Sequence, residues 1–188
     1  MYNVEIYSGR NFNFKKFPQF KQVSDRTYKA TGLTEDEAKS LHWKATINGK
    51  EAVWYEDIWD RSRNYKAEYF KKHKDDEFVC AYCGRKVPRS SITVDHVIPV
   101  YAVKHSRMLQ KRLKRKGYTG INDERNLVHC CRNCNSDKGR QNSSIWVLKA
   151  RLGTSDIWWR IRSLTIIGFC LAMLAILAYI MFRYFGSV

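Results

Sequence analysis

The stretch that decides the reading runs from Cys80 to Gly139. It opens Cys80-Ala-Tyr-Cys83-Gly84 and passes through Val94-Asp95-His96-Val97-Ile98-Pro99 and Asn126-Leu127-Val128. It closes Cys131-Arg-Asn-Cys134-Asn135-Ser-Asp-Lys138-Gly139. Each Cys-x-x-Cys turn brings two sulfurs to one ion, so Cys80, Cys83, Cys131 and Cys134 form the tetrahedral thiolate set that suits Zn²⁺. Four protein ligands leave no open coordination position, which makes this a structural metal. Residues 84–130 lie between the two turns, far more than the roughly 15–20 of a common zinc-ribbon spacing. The ion would therefore staple the two ends of a small domain. A pair of disulfides competes with this reading and is disfavoured in a reducing compartment. Cys130 is a rival to Cys131, and Cys131 is preferred because it gives the matched two-residue gap to Cys134.

Between the turns, Ser91-Ile-Thr-Val94 alternates and is β-branched, so it reads as a strand. Asp95 and His96 lie at its end, and Pro99 breaks the run. A carboxylate beside an imidazole places a hard-cation ligand next to a general base. Asn135, directly after the second cysteine turn where a helix can start, offers an amide oxygen to the same cation.

These motifs, in this order over about residues 60–140, resemble the HNH endonuclease family, the ββα-metal nucleases. The resemblance rests on Cys80–Gly84, the Val-Asp-His-x-x-Pro core at Val94–Pro99, Asn126-Leu127 and the Cys-x-x-Cys-Asn-x-x-Lys run at Cys131–Lys138. It implies two strands and a helix clasping one divalent ion. His96 is then the general base that activates water, and Asp95 and Asn135 are ligands of a catalytic Mg²⁺ or Mn²⁺. Asn126 is the middle asparagine that holds the loop and the His-bearing strand in register, and Lys138 is a phosphate contact. Many relatives carry His where Asn135 stands, which leaves the preferred metal open.

The charge balance agrees with a polyanionic partner. The chain has 34 Lys and Arg against 18 Asp and Glu, a formal net charge of +16 and a pI of about 9.7. The excess is concentrated between Pro99 and Asn126, where Lys104, Arg107, Lys111, Arg112, Lys114, Arg115 and Lys116 fall in a run without an acid. Met108, Leu109 and Leu113 give that run an apolar face, so it reads as a basic helix beside the site. Backbone contacts from it to double-stranded DNA would position a duplex without reading its sequence.

Residues 1–55 read as a small α+β unit of order β-α-β-β. Val4 and Ile6 fall on one face of a first strand, Thr34-Glu-Asp-Glu37 forms a capping box, and residues 43–54 alternate around the hairpin signal Asn48-Gly49. Phe12, Phe14, Phe17 and Phe20, set among lysines, read as a loop whose rings pack on this unit; stacking on bases is the alternative. Residues 56 to about 74 have helical spacing and lead into the first cysteine turn. The expected nuclease domain spans residues 56–152, with a short helix from Ser144 to Leu152 at its end.

The remaining segment, 153–188, changes character. Leu164 to Phe182 carries no charge, and as a helix it spans roughly 28 Å, close to a bilayer's hydrocarbon core. Trp158 and Trp159 precede it and Tyr179 and Tyr184 mark its far end, as interfacial belts do. Lys149, Arg151, Arg160 and Arg162 flank the near side and Arg183 the far side, so the positive-inside rule puts residues 1–160 in the cytoplasm. The N-terminus lacks an apolar signal core. The combined expectation is an α+β, membrane-tethered HNH endonuclease with a single C-terminal anchor, for which a homodimer would supply two active sites. The alternative is a non-catalytic, membrane-bound zinc module that binds DNA or anionic lipid.

Overall fold

The computed structural model describes residues 1–8 and 12–185. The chain begins with strands β1 (Tyr2–Tyr7), β2 (Lys21–Ser24) and β3 (Thr27–Leu33), helix α1 (Glu35–Ile47) and strand β4 (Glu51–Glu56). These strands form one antiparallel sheet of order β2-β3-β1-β4. The unit is thus β-β-β-α-β, and the expected β-α-β-β order and the 43–54 hairpin are corrected. The capping box forms as expected, with Thr34 Oγ1 accepting from Glu37 N and Glu37 Oε2 accepting from Thr34 N. The helix runs on to Ile47, into the segment expected as a hairpin, because Ala38, Leu41 and Ala45 repeat at helical spacing and are buried on the sheet. Asn48 caps its C-terminus and Gly49, at φ +67°, turns the chain out. A dipeptide that signals a hairpin serves here as a helix stop.

Val4 and Ile6 pack on one face of β1 with Phe12, Phe17, Phe20 and Tyr28, so three rings of the aromatic segment are core residues and Phe14 is exposed. Phe12 stacks on Tyr28 with ring centroids 3.9 Å apart. The opposite face of β1 is buried too, although it carries Asn3 and Glu5. Its partners are Tyr55, Asp60 and Lys104: Lys104 Nζ lies 2.7 Å from Glu5 Oε1 and 2.8 Å from Asp60 Oδ1, and Lys29 also pairs with Asp60. Burial alone would push the Glu5 carboxyl up, but Lys104 and hydrogen bonds from Tyr55 and Tyr7 hold it below its ordinary range. This ionic cluster joins the N-terminal sheet to the segment that follows the site strand.

The helix expected over 56–74 is reduced to a 3-10 turn at Asp57–Trp59 and helix α2 (Tyr65–Lys72). Asp60 interrupts it, because its carboxylate is held by Lys29 and Lys104. Strands β5 (Glu77–Val79) and β6 (Lys86–Pro88) form a hairpin with the first cysteine turn at its tip. Strand β7 (Ile92–His96) leads to helices α3 (Val100–Lys104) and α4 (Arg107–Arg115), so the expected basic helix is split, with Ser106 Oγ capping the second piece at Leu109 N. Strand β8 (Leu127–Cys131) and helix α5 (Arg132–Lys138) follow. β7 and β8 pair antiparallel from Ile92↔Cys131 to His96↔Leu127, and α5 contacts both strands. Two strands and a helix thus surround the expected site residues. Tyr55, Trp59, Val103, Leu113, Tyr118 and Ile121 form a core that joins the insert to the N-terminal unit.

Helix α6 (Ser144–Gly153) packs on the first cysteine turn and is followed by α7 (Asp156–Phe185). The contact is backbone to backbone: a Cβ at Gly153 would sit 1.8 Å from Ala81 O. Trp159 of α7 donates from Nε1 to Gly153 O at 2.9 Å, and a Cβ at Gly84 (φ +76°) would meet its ring at 2.5 Å. Gly153→Ala is expected to destabilise the chain by about 1–3 kcal/mol through overpacking, measured as a shifted denaturation midpoint. An unchanged midpoint would mean that α6 is free to move off the turn.

Candidate active site and metal centre

The hairpin β5–β6 and the β8–α5 junction bring four cysteines together. The Sγ atoms of Cys80, Cys83, Cys131 and Cys134 lie within 4.8 Å of one another. A Zn–S bond of about 2.3 Å implies sulfurs roughly 3.8 Å apart in a tetrahedron, so the set fits zinc. The fit is supported by backbone donors, since Cys131 N donates to Cys80 Sγ at 3.3 Å. Cys130, one residue earlier in β8, faces away and pairs across to Thr93. The two-residue alternation of a strand separates the rival cysteines. The four cysteines can hold a zinc ion.

His96 ends β7 and is buried, its ring tilted over Tyr65 at 4.8 Å. Its Nε2 lies 3.1 Å from Asn122 Oδ1. Asn122 Nδ2 donates to Asp60 O at 3.2 Å, which turns the amide so that its oxygen faces His96. An oxygen can only accept, so Nε2 carries the proton and Nδ1 is left as the acceptor. Burial lowers the affinity of His96 for a second proton, against the opposing effects of Asn122 and Asp95. The imidazole is therefore neutral near pH 7 and able to take a proton.

Asp95 precedes it. Its Oδ2 accepts from Tyr82 Oη at 2.6 Å and from Lys138 Nζ at 2.8 Å, while Oδ1 has no hydrogen-bond partner among the described residues. Lys138 is fully buried and also donates to His96 O at 2.7 Å. It is a strut between the end of β7 and α5, with no surface to offer a phosphate, so the expectation of a direct phosphate contact is corrected. Asn126 is buried as well. Its Oδ1 accepts from Ile98 N at 2.8 Å and its Nδ2 donates to Ile121 O at 2.9 Å and Ile98 O at 3.3 Å. Its backbone oxygen accepts from Val97 N at 2.8 Å, so one residue fixes the turn after His96. Asn126→Ala leaves the half-buried Ile98 N–H without its partner, with an expected cost of about 1–3 kcal/mol in stability and a loosened site. A variant as stable as the parent would show that water replaces the amide.

Asp95, His96 and Asn135 line one cleft of about 400 Å³, together with Glu5, Tyr65, Tyr101 and Lys104. Asn135 lies within α5 rather than at its start. Two cations that the sequence did not single out, Arg61 and Arg140, line the same cleft. Both are exposed and lie over aromatic rings, Arg61 at 5.7 Å from Tyr65 and Arg140 at 4.9 Å from Tyr101. Neither has an acidic partner among the described residues. Nothing local in the sequence marks them, because they come from loops before α2 and after α5.

The basic run divides. Lys104 is held in the ionic cluster with Glu5 and Asp60, and Arg107 lies 4.0 Å over Trp54. Lys114 pairs with Glu56. Lys111, Arg112, Arg115 and Lys116 are exposed and without an acidic partner among the described residues. Helix α7 contains a stretch, Asp156–Tyr184, that is long and apolar enough to cross a membrane, with a mean hydropathy of 2.5 and none of its most apolar window buried.

Comparison with known proteins gives a short match. A stretch of 67 residues, 36% of this chain, is 33% identical to the CRISPR-associated endonuclease Cas9 of Corynebacterium diphtheriae. That stretch is 5% of the relative, so the chain spans a small fraction of its length. No family model matches, and no solved structure matches. The chain is similar, over about a third of its length, to part of a protein named as an endonuclease.

Proposed function

We propose that this chain is a membrane-tethered HNH-type endonuclease that hydrolyses phosphodiester bonds of double-stranded DNA. The observation that carries the reading is the placement of Asp95, His96 and Asn135 on one cleft, with Nδ1 of His96 left as an acceptor by Asn122. The short likeness to an endonuclease points the same way. Asp95, through its unpaired Oδ1, and Asn135 would hold a divalent ion such as Mg²⁺ or Mn²⁺. Such an ion neutralises charge on the scissile phosphate and on the departing oxygen.

His96 Nδ1 takes a proton from a water whose oxygen attacks phosphorus. One P–O bond forms, the P–O bond to one sugar breaks, and the leaving oxygen is protonated from solvent. Lys138 holds the His96 carbonyl and the Asp95 carboxylate in place. Arg61 and Arg140 flank the cleft as phosphate contacts, and Lys111 and Arg115, exposed on α4, offer further backbone contacts outside the cleft. Cys80, Cys83, Cys131 and Cys134, holding zinc, would fasten β5–β6 to α5 and so fix the strand that carries His96. The span α7 anchors the chain, with residues 1–160 on the cytoplasmic side by the distribution of Lys and Arg.

The test is cleavage of supercoiled plasmid by the full chain in detergent, before and after EDTA treatment, with zinc content followed. Cleavage that is lost on treatment and restored by Mg²⁺ or Mn²⁺ alone, with zinc retained, supports the reading. Binding of DNA without any nicking over the whole metal series points instead to a non-catalytic zinc module.

A further inference from the structure

A second cavity lies between α4 and α6, away from the site cleft. It holds about 700 Å³ and is lined by four cations, Arg112, Lys116, Arg125 and Arg151, and by no acid. Arg125 is neutralised by Asp123 at 2.8 Å, and Arg151 donates to Tyr118 Oη at 3.3 Å, so Arg112, Lys116 and Arg151 carry the uncompensated charge. The floor is apolar, with Leu109 and Leu148 among its residues. Leu148 is 59% exposed and Ile145, on the same helix, 65% exposed. A duplex backbone would need the cations but gain nothing from that floor. An amphiphile with an anionic head needs both.

The helix that lines the cavity also leads into the anchor. Arg151 lies on the last turn of α6, α7 starts at Asp156, and Trp159 locks the two together through Gly153 O. The rise from Asp156 to the uncharged run at Leu164 is about 12 Å, so the end of α6 stands at the outer edge of the headgroup layer. Bilayers present anionic headgroups at that level, and juxtamembrane Lys and Arg bind them.

We infer that the α4–α6 cavity is a binding site for an anionic phospholipid. Arg112, Lys116 and Arg151 hold the phosphate of the headgroup, and Leu109 and Leu148 receive the upper acyl chain. The inference rests on the proposed membrane-spanning role of α7. With the lipid seated, α6 lies along the membrane surface and the nuclease cleft is held in one orientation to it.

The experiment uses the full chain in nanodiscs of phosphatidylcholine with a minor fraction of phosphatidylglycerol, extracted gently and analysed by native mass spectrometry for retained lipid. Two triple variants are compared with the parent: Arg112→Ala/Lys116→Ala/Arg151→Ala in the cavity, and Arg107→Ala/Lys111→Ala/Arg115→Ala elsewhere on the basic segment. Zinc content and circular dichroism confirm the fold of each. The parent is expected to retain phosphatidylglycerol over phosphatidylcholine. The cavity variant should lose that preference by about tenfold or more, and the other variant should keep it. Equal loss in both variants would overturn the site in favour of diffuse attraction. A cavity variant that loses affinity for DNA but keeps the lipid preference would make the cavity a DNA contact and overturn the inference. A parent chain that inserts into the discs yet retains no phosphatidylglycerol defeats the lipid site alone. A parent chain that does not insert, and is released from vesicles by carbonate, defeats the membrane reading and the lipid site with it.

Discussion

His96→Ala is expected to lower plasmid cleavage by about 10²–10⁴-fold while leaving DNA affinity within about twofold. The argument is geometric. His96 is the imidazole on the cleft, and its neighbour Asn122 assigns the proton to Nε2, leaving Nδ1 to receive one from water. The ring is not a ligand of the four-cysteine centre and carries no ion pair, so its removal deletes a proton acceptor without exposing a buried charge. Some loss of packing against Tyr65 is expected, and a melting curve separates it from the chemical loss. A variant that cleaves at the parent rate would remove His96 from the mechanism. One that no longer binds DNA would mark it as a structural residue.

The largest expected effect on stability comes from the cysteine cluster. Structural zinc contributes about 10–16 kcal/mol of apparent binding free energy in small zinc folds, comparable with or above the ~5–15 kcal/mol net stability of a domain. The half of the chain that holds the site has a modest core of Phe78, Tyr82, Val87, Ile92 and Val128 around the cluster. Cys131→Ser, or stripping zinc with a strong chelator, is therefore expected to unfold β5–β8 and α5. Trp159 rests on Gly84, inside the first cysteine turn, so its fluorescence should report the change directly. A chelated protein with unchanged tryptophan emission and unchanged protease resistance would show that packing alone holds this half together.

Much of the site is legible in the sequence because its determinants are short-range. Cys-x-x-Cys turns place their own sulfurs, Thr34 and Glu37 make their own cap, and the alternation before Asp95 forms the expected strand. What the sequence does not announce depends on contacts between distant residues. Asn48-Gly49 suits a hairpin or a helix stop, and the burial of Ala45 on the sheet selects the second. The helix expected from residue 56 stops at Asp60 because Lys29 and Lys104, far away in sequence, claim its carboxylate. Lys138 looks like a surface phosphate contact in a motif, yet it is buried between Asp95 and the His96 carbonyl. Asn122, Arg61 and Arg140 reach the site from loops with no local pattern to announce them.

The C-terminal segment is legible for a different reason. A run of apolar side chains from Leu164 to Phe182 needs no long-range partner to be helical, and none covers it among the described residues. Its docking onto the first cysteine turn is not legible there, since it depends on two glycines, Gly84 and Gly153, that leave room for Trp159 and for Ala81 O. The consequence is that the apolar helix α7 and the four-cysteine cluster share one contact surface.

The central claim is that the cleft holding Asp95, His96 and Asn135 cuts phosphodiester bonds. The most direct measurement is a side-by-side plasmid cleavage assay on the full-length parent and His96→Ala, both zinc-loaded and folded, across added Mg²⁺ and Mn²⁺. Metal-dependent conversion of supercoiled plasmid to nicked or linear forms by the parent, lost in the variant, is the predicted result. Cleavage that persists undiminished in the variant, or a folded parent that binds the plasmid and never cuts it, would contradict the claim.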